Sequence, residues 1–129
     1  GAIGYCMGGA IVLQMAREGA DLDIVASFHG ALAAKTRAKK GDVKAQVLVF
    51  SGEADPMVTP EQVTALRQEM TDAGAKFTFV GYPGAKHGFT NPEADKLGKQ
   101  FEMPLAYDAK ADADSWARMK AAMKTTFAQ

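Results

Sequence analysis

The stretch "GAIGYCMGGA" (Gly1–Ala10) sets one cysteine among four glycines, between a short β-prone run and a run of helix formers. A nucleophile at a sharp strand-to-helix turn needs small residues on both sides, because the bend presses the backbone against its neighbours. Gly4, Gly8 and Gly9 stand where that geometry requires them. A free thiol has a pKa near ~8.5 and is only a few per cent thiolate at neutral pH, so Cys6 needs help. The start of a helix at Met7 supplies part of it, since the N-terminal end of a helix favours negative charge. The competing reading is a cysteine packed as a small hydrophobe under a sheet.

Working outward, "MGGAIVLQMAREG" (Met7–Gly19) reads as a helix, apolar nearly all round and hence expected to be buried, stopped by Gly19. "DIVASFHG" (Asp23–Gly30) and "AQVLVFSG" (Ala45–Gly52) are continuous apolar runs ending in glycine, as strands covered on both faces are. Thr59, Pro60 and Gln62 predict a capped helix start; Val63, Leu66 and Met70 give its apolar stripe and Gly74 its end. "KFTFVGYP" (Lys76–Pro83) is another strand. "DSWARMKAAMKTTF" (Asp114–Phe127) predicts a closing helix with Trp116, Met119, Met123 and Phe127 on its buried face. Strands alternating with helices predict an α/β fold, a mostly parallel sheet with helices on both faces. Right-handed crossovers then bring the loop after each strand to one edge of that sheet.

Two further loops on that edge carry chemistry. Asp55 follows the strand ending at Phe50, where it is either an acid reaching the crevice or a turn aspartate ahead of Pro56. His87 follows the strand ending at Val80, between Gly84 and Gly88. Nucleophile, then acid, then histidine, each after a successive strand, is the order of catalytic triads on this architecture. Met7 follows the nucleophile and offers its backbone N–H to a developing oxyanion. Tyr5, His29 and Phe89 lie beside these positions and are candidate substrate-binding residues. The long connection from Asn91 to the last helix reads as an exposed loop, a lid or a dimer contact.

The rest of the composition excludes several classes. Fifteen basic and fifteen acidic residues cancel, and "KTRAKKGDVK" (Lys35–Lys44) lacks the interleaved aromatics of a nucleic-acid surface. No run approaches the ~18 apolar residues of a membrane span. Cys6, His29 and His87 show no paired metal-ligand spacing, and no phosphate-loop motif is present, so neither a metal nor another cofactor is expected. A single cysteine forbids an internal disulfide. The cytoplasm is the expected location; periplasm or export stays open, because Gly1 is not an initiator methionine. Gly1–Ile3 read as the tail of a strand begun upstream, making residues 1–129 one partial domain.

"GYCMGG" (Gly4–Gly9), "GEADPMV" (Gly52–Val58) and "HGF" (His87–Phe89) together resemble the dienelactone hydrolase family of the α/β-hydrolase superfamily. "SFHG" (Ser27–Gly30) is similar to the family's strand before the acid-bearing one. The resemblance implies an incomplete α/β-hydrolase fold, with further strands and a second oxyanion donor upstream. It implies a Cys6–His87–Asp55 triad that hydrolyses a small lactone or carboxylic ester without a cofactor, dienelactone being the family's named case. Oligomeric state stays open. The alternatives are a redox-responsive or ligand-binding module that keeps the turn but not turnover, and a hydrolase of the same fold acting on a thioester or peptide.

Overall fold

The computed structural model describes residues 1–128. Among them four strands, β1 (Ala2–Tyr5), β2 (Ile24–Phe28), β3 (Gln46–Gly52) and β4 (Phe77–Tyr82), form one sheet in chain order, every pair parallel. The register pairs Tyr5 with Phe28, Phe28 with Phe50 and Gly52 with Tyr82. The strands therefore end together, and the loops that follow them share one crevice.

Side-chain alternation divides the core in two. Val25, Val47 and Val49 pack under α1 (Met7–Arg17) and α2 (Pro60–Ala73), meeting Val12, Leu13, Leu66 and Met70. Ile24, Ala26, Phe28, Leu48 and Phe50 face the other way, toward Ala111 and Met119 of α4 (Ala109–Thr126). With both faces covered, the strands need no polar alternation, which is why β2 and β3 read as unbroken apolar runs.

The expected caps of α2 are present. Thr59 Oγ1 accepts from the Gln62 amide, Gln62 Oε1 accepts from the Thr59 amide, and Gly74 closes the helix in the left-handed conformation. Val63 is half-buried while Leu66 and Met70 are fully buried, so the stripe is as read.

Three expectations are corrected. Helix α1 is not buried all round: Val12, Leu13 and Ala16 meet the sheet, while Met7, Ile11 and Met15 are exposed. One helix face suffices to cover a parallel sheet, and the hydrophobicity of the opposite face does not bury it. Helix α4 begins at Ala109, capped by Asp108, and turns Ala111, Ser115 and Met119 inward. Trp116 and Phe127 lie outside, because the small residues Ala111 and Ser115 let the helix approach the sheet on a neighbouring face. The connection after His87 is not merely an exposed loop: it contains α3 (Ala94–Phe101), and its Ala94 and Gly98 are buried.

Residues 31–45 cross from β2 to β3 without a helix, and a buried ion pair holds their first half. Arg17 Nε and Nη2 each donate to the Glu69 carboxylate at 3.0 Å, and Nη2 also donates to the Leu32 carbonyl at 2.7 Å. Glu69 Oε1 accepts in addition from the Ala38 amide at 2.8 Å. Two helices and the crossover thus share one set of hydrogen bonds that satisfies both charges, as burial requires.

Candidate active site

Cys6 sits between β1 and α1 with φ 53° and ψ −117°, a conformation that costs a non-glycine residue about 1–3 kcal/mol. Its amide donates to the Phe28 carbonyl at 3.0 Å and its carbonyl accepts from the Ala10 amide at 3.2 Å, so the bend is held from both sides. Two of the three expected glycines are explained by contact, whereas a methyl on Gly8 would meet nothing within 4 Å, so the bend does not require that one. A methyl on Gly4 would overlap the Gly8 carbonyl, and one on Gly9 would come within 2.7 Å of Ser27 Oγ. Met7 is the first residue of α1, and its amide is one of the donors that a helix start leaves without an internal partner.

The loops that carry Asp55 and His87 are tied to each other. The Ala54 amide donates to the Ala85 carbonyl at 2.9 Å, one residue before Asp55 and two before His87. Asp55 makes two contacts. Its Oδ1 accepts from the Met57 amide at 2.9 Å, a local turn around Pro56, while Oδ2 lies 2.9 Å from His87 Nδ1. His87 Nε2 is in turn 3.1 Å from Cys6 Sγ. Gly84 and Gly88, at φ 75° and 72°, let the chain present the imidazole between them.

Electrostatics follow from this line of contacts. The hydrogen bond to Asp55 is the main cause that raises the His87 pKa to about 9, with Cys6 adding to it and burial opposing it. His87 is therefore protonated at neutral pH and donates from both nitrogens, to Asp55 and toward the sulfur. A carboxylate, an imidazolium and the exposed sulfur of Cys6 form a continuous line across three loops.

The remaining candidates separate. Tyr5 is partly exposed, stacks on Phe28 at 4.7 Å between ring centroids and lines the cavity beside Cys6. His29 is buried, with φ 40°, its amide donating to the Phe50 carbonyl at 2.8 Å. Its Nε2 lies 2.9 Å from Thr90 Oγ1, and its ring stands edge-on to His87. Burial first, then the neighbouring His87 charge, lowers its pKa to about 4, so it is neutral beside a charged imidazole. Phe89 does not line the cleft: it is fully buried in the second core, 5.1 Å from the His29 ring behind the site. Its strand-end neighbours Phe28 and Phe50 already cover that face, and Phe89 completes their cluster.

Cavities of about 480 and 340 Å³ open on the thiol. Their walls include Thr90, Asn91, Met57, Met103 and Leu105, none of which the sequence singled out. The backbone around His87 is clamped by the segment after α3: the Ala106 amide donates to the His87 carbonyl at 3.3 Å, and the Asp108 amide to the Phe89 carbonyl at 3.0 Å. Among the described residues no cluster of three or more His, Cys, Asp or Glu could hold a metal ion. No described helix is long and apolar enough to cross a membrane.

Residues 1–127 match the dienelactone hydrolase family. The chain belongs to that family. An uncharacterised Caenorhabditis elegans protein is 32% identical over 99% of this chain and 80% of its own length. A Salmonella typhimurium protein with the provisional name carboxymethylenebutenolidase is 31% identical over 90% of this chain and 42% of its own. Among solved structures, a dienelactone hydrolase-like promiscuous phosphotriesterase from metagenomic libraries superposes with a TM-score of 0.88. It is 36% identical, over 97% of this chain and 51% of that one. This dienelactone hydrolase-family chain thus spans about half the length of the solved relative and less than half of the Salmonella one. Its fold is an incomplete α/β hydrolase, the sheet and helices described above forming part of the larger architecture.

Proposed function

We propose that this chain carries the catalytic triad of a hydrolase for small carboxylic esters or lactones, with Cys6 as nucleophile, His87 as acid and base, and Asp55 as the group that orients His87. The observation that carries this reading is the unbroken line Sγ to Nε2 at 3.1 Å and Nδ1 to Oδ2 at 2.9 Å. Each member comes from a different strand-end loop, and Asp55 is itself held by a second hydrogen bond.

In the reaction, Cys6 attacks the ester carbonyl carbon as the thiolate, its proton already held on His87 Nε2, and negative charge develops on the carbonyl oxygen beside the Met7 amide. The tetrahedral species collapses as His87 Nε2–H protonates the departing alkoxide, leaving a thioester on Cys6. The now neutral Nε2 takes a proton from water, whose oxygen attacks the thioester, and the carboxylic acid departs as the thiolate reforms. Asp55 keeps Nδ1–H pointed at its own oxygen throughout, so that Nε2 faces the chemistry at every step. His29, neutral and fixed by Thr90, packs against His87 and limits the ring's freedom to turn away. Tyr5 lines the space where the substrate sits.

The test is hydrolysis of p-nitrophenyl acetate by the protein and its Cys6→Ala variant, with mass spectrometry of the quenched enzyme. Expected are an acetyl mass on the peptide containing Cys6 and loss of nearly all turnover in the variant. Equal rates for the two proteins would overturn the assignment.

A further inference from the structure

The two cavities diverge from a shared floor. Both are lined by Cys6, His29, His87 and Met103. On one side, the space of about 480 Å³ is lined by Tyr5, Thr90 and Asn91, the Thr90 hydroxyl lying 2.9 Å from His29 Nε2. On the other, about 340 Å³ is enclosed by Met7, Ala10, Ala31, Met57 and Val58, whose side chains bring no oxygen or nitrogen. Each is of a size that small-molecule sites occupy. Among the described residues no Lys, Arg, Asp or Glu lines either space, and the one cationic ring, His87, is already bonded to Asp55.

Three methionines from three separate segments meet around this second space: Met7 opens α1, Met57 lies in the acid loop, and Met103 follows α3. All three are substantially exposed. An unbranched thioether side chain with several rotatable bonds adapts to apolar groups of different shape and offers them polarisable contact. It offers nothing to an anion, which away from the Met7 amide and His87 would leave water for side chains that carry no donor.

Taking Cys6 as the nucleophile, as above, we propose that the methionine-walled cavity is a specificity subsite for an uncharged alkyl or aryl arm of the ester, and that it discriminates against substrates carrying a carboxylate on that arm. Both halves of an ester must lie beside the thiol and His87, and a cleft forked at those two groups separates them. One half enters the side lined by Tyr5, Thr90 and Asn91 and the other the methionine side.

The experiment compares two series: p-nitrophenyl esters with acyl chains from acetate to hexanoate, and acetate esters with alcohols from methanol to hexanol. In one of the two, kcat/KM is expected to rise ~4-fold per methylene, the equivalent of burying one CH2 group. A substrate of the same length ending in a carboxylate is expected to fall below its uncharged counterpart. Met57→Asp and Met103→Gln should lower the long-to-short rate ratio by about tenfold or more. If either variant turns over too slowly to measure, labelling of the single cysteine by N-ethylmaleimide against N-hexylmaleimide reads the same wall without turnover. The preference for the longer reagent should be lost. Flat profiles in both series, or ratios and labelling preferences unchanged in both variants, would overturn the subsite. Turnover that survives Cys6→Ala would remove the nucleophile instead, and would do so whatever the chain-length profile.

Discussion

Asp55 holds His87 through one oxygen and is itself held through the other: Oδ2 lies 2.9 Å from Nδ1, while Oδ1 accepts from the Met57 amide at the same distance. The carboxylate cannot rotate without breaking one of the two. His87 therefore receives both a fixed direction and a strong reason to stay protonated.

With only two histidines in the chain, this is directly visible by NMR. One imidazole, His29, is expected to titrate at about 4 and the other, His87, at about 9. In Asp55→Asn the upper transition should move down toward the ordinary histidine value near ~6.5, because its largest cause is gone. Ester hydrolysis should fall by about 10²- to 10⁴-fold in the same variant. An upper transition that does not move would show that Asp55 does not act on His87.

Stability responds to the same two groups with opposite signs. The raised pKa of His87 means that its protonation contributes fully below ~6.5 and is lost as pH rises through about 9. The lowered pKa of His29 means that its contribution is complete above ~6.5 and is lost as pH falls toward about 4. Thermal melts at a series of pH values should thus show an acid-side decline between those limits. His29→Asn, which tolerates the positive φ, should flatten that decline while leaving the alkaline one.

The buried ion pair between α1 and α2 should be far more sensitive to half-removal than to full replacement. Arg17→Met or Glu69→Gln alone leaves a charge unpaired or two donors short, and should destabilise by about 3–5 kcal/mol in urea unfolding. Changing both to apolar residues of similar volume should cost much less. Equal losses in single and double variants would mean that the pair's value lies in packing alone.

Helix α4 offers a test of which face is inside. Met119→Ala should cost about 2–5 kcal/mol, as buried large-to-small changes do, whereas Trp116→Gln should stay within about 0.5 kcal/mol. A larger loss at Trp116 than at Met119 would put the helix in the other phase.

The sequence carried some of this openly and hid the rest for physical reasons. The ends of α2 were legible because Thr59, Gln62 and Gly74 act within one turn, with no help from elsewhere. The three loops of the site were legible because parallel strands with right-handed crossovers place them on one edge, whatever the details of packing. The phase of α4 was legible in part: Met119 and Met123 face the core as read, but Trp116 and Phe127 dominate any hydrophobic count and stay outside, the helix being brought close by Ala111 and Ser115, whose advantage is their small size. Phe89 follows His87 closely in sequence yet completes an aromatic cluster on the far side of the His29 ring, a long-range packing outcome. Met57 and Met103 could be recognised as walls only after α3 and its following segment were in place. The positive φ of His29 has no local signature at all.

The crossover between β2 and β3 is fastened by bonds to Arg17 and Glu69 in its first half and by the Gly41 amide to the Ala73 carbonyl at 3.1 Å further on, and carries no helix of its own. Evolution can therefore rewrite its outer residues, or lengthen it, without renegotiating the fit between sheet and helices. The same freedom makes the exposed side chains of Lys39 and Lys40 natural points of attachment for a fluorophore or a tether, remote in the chain from Cys6.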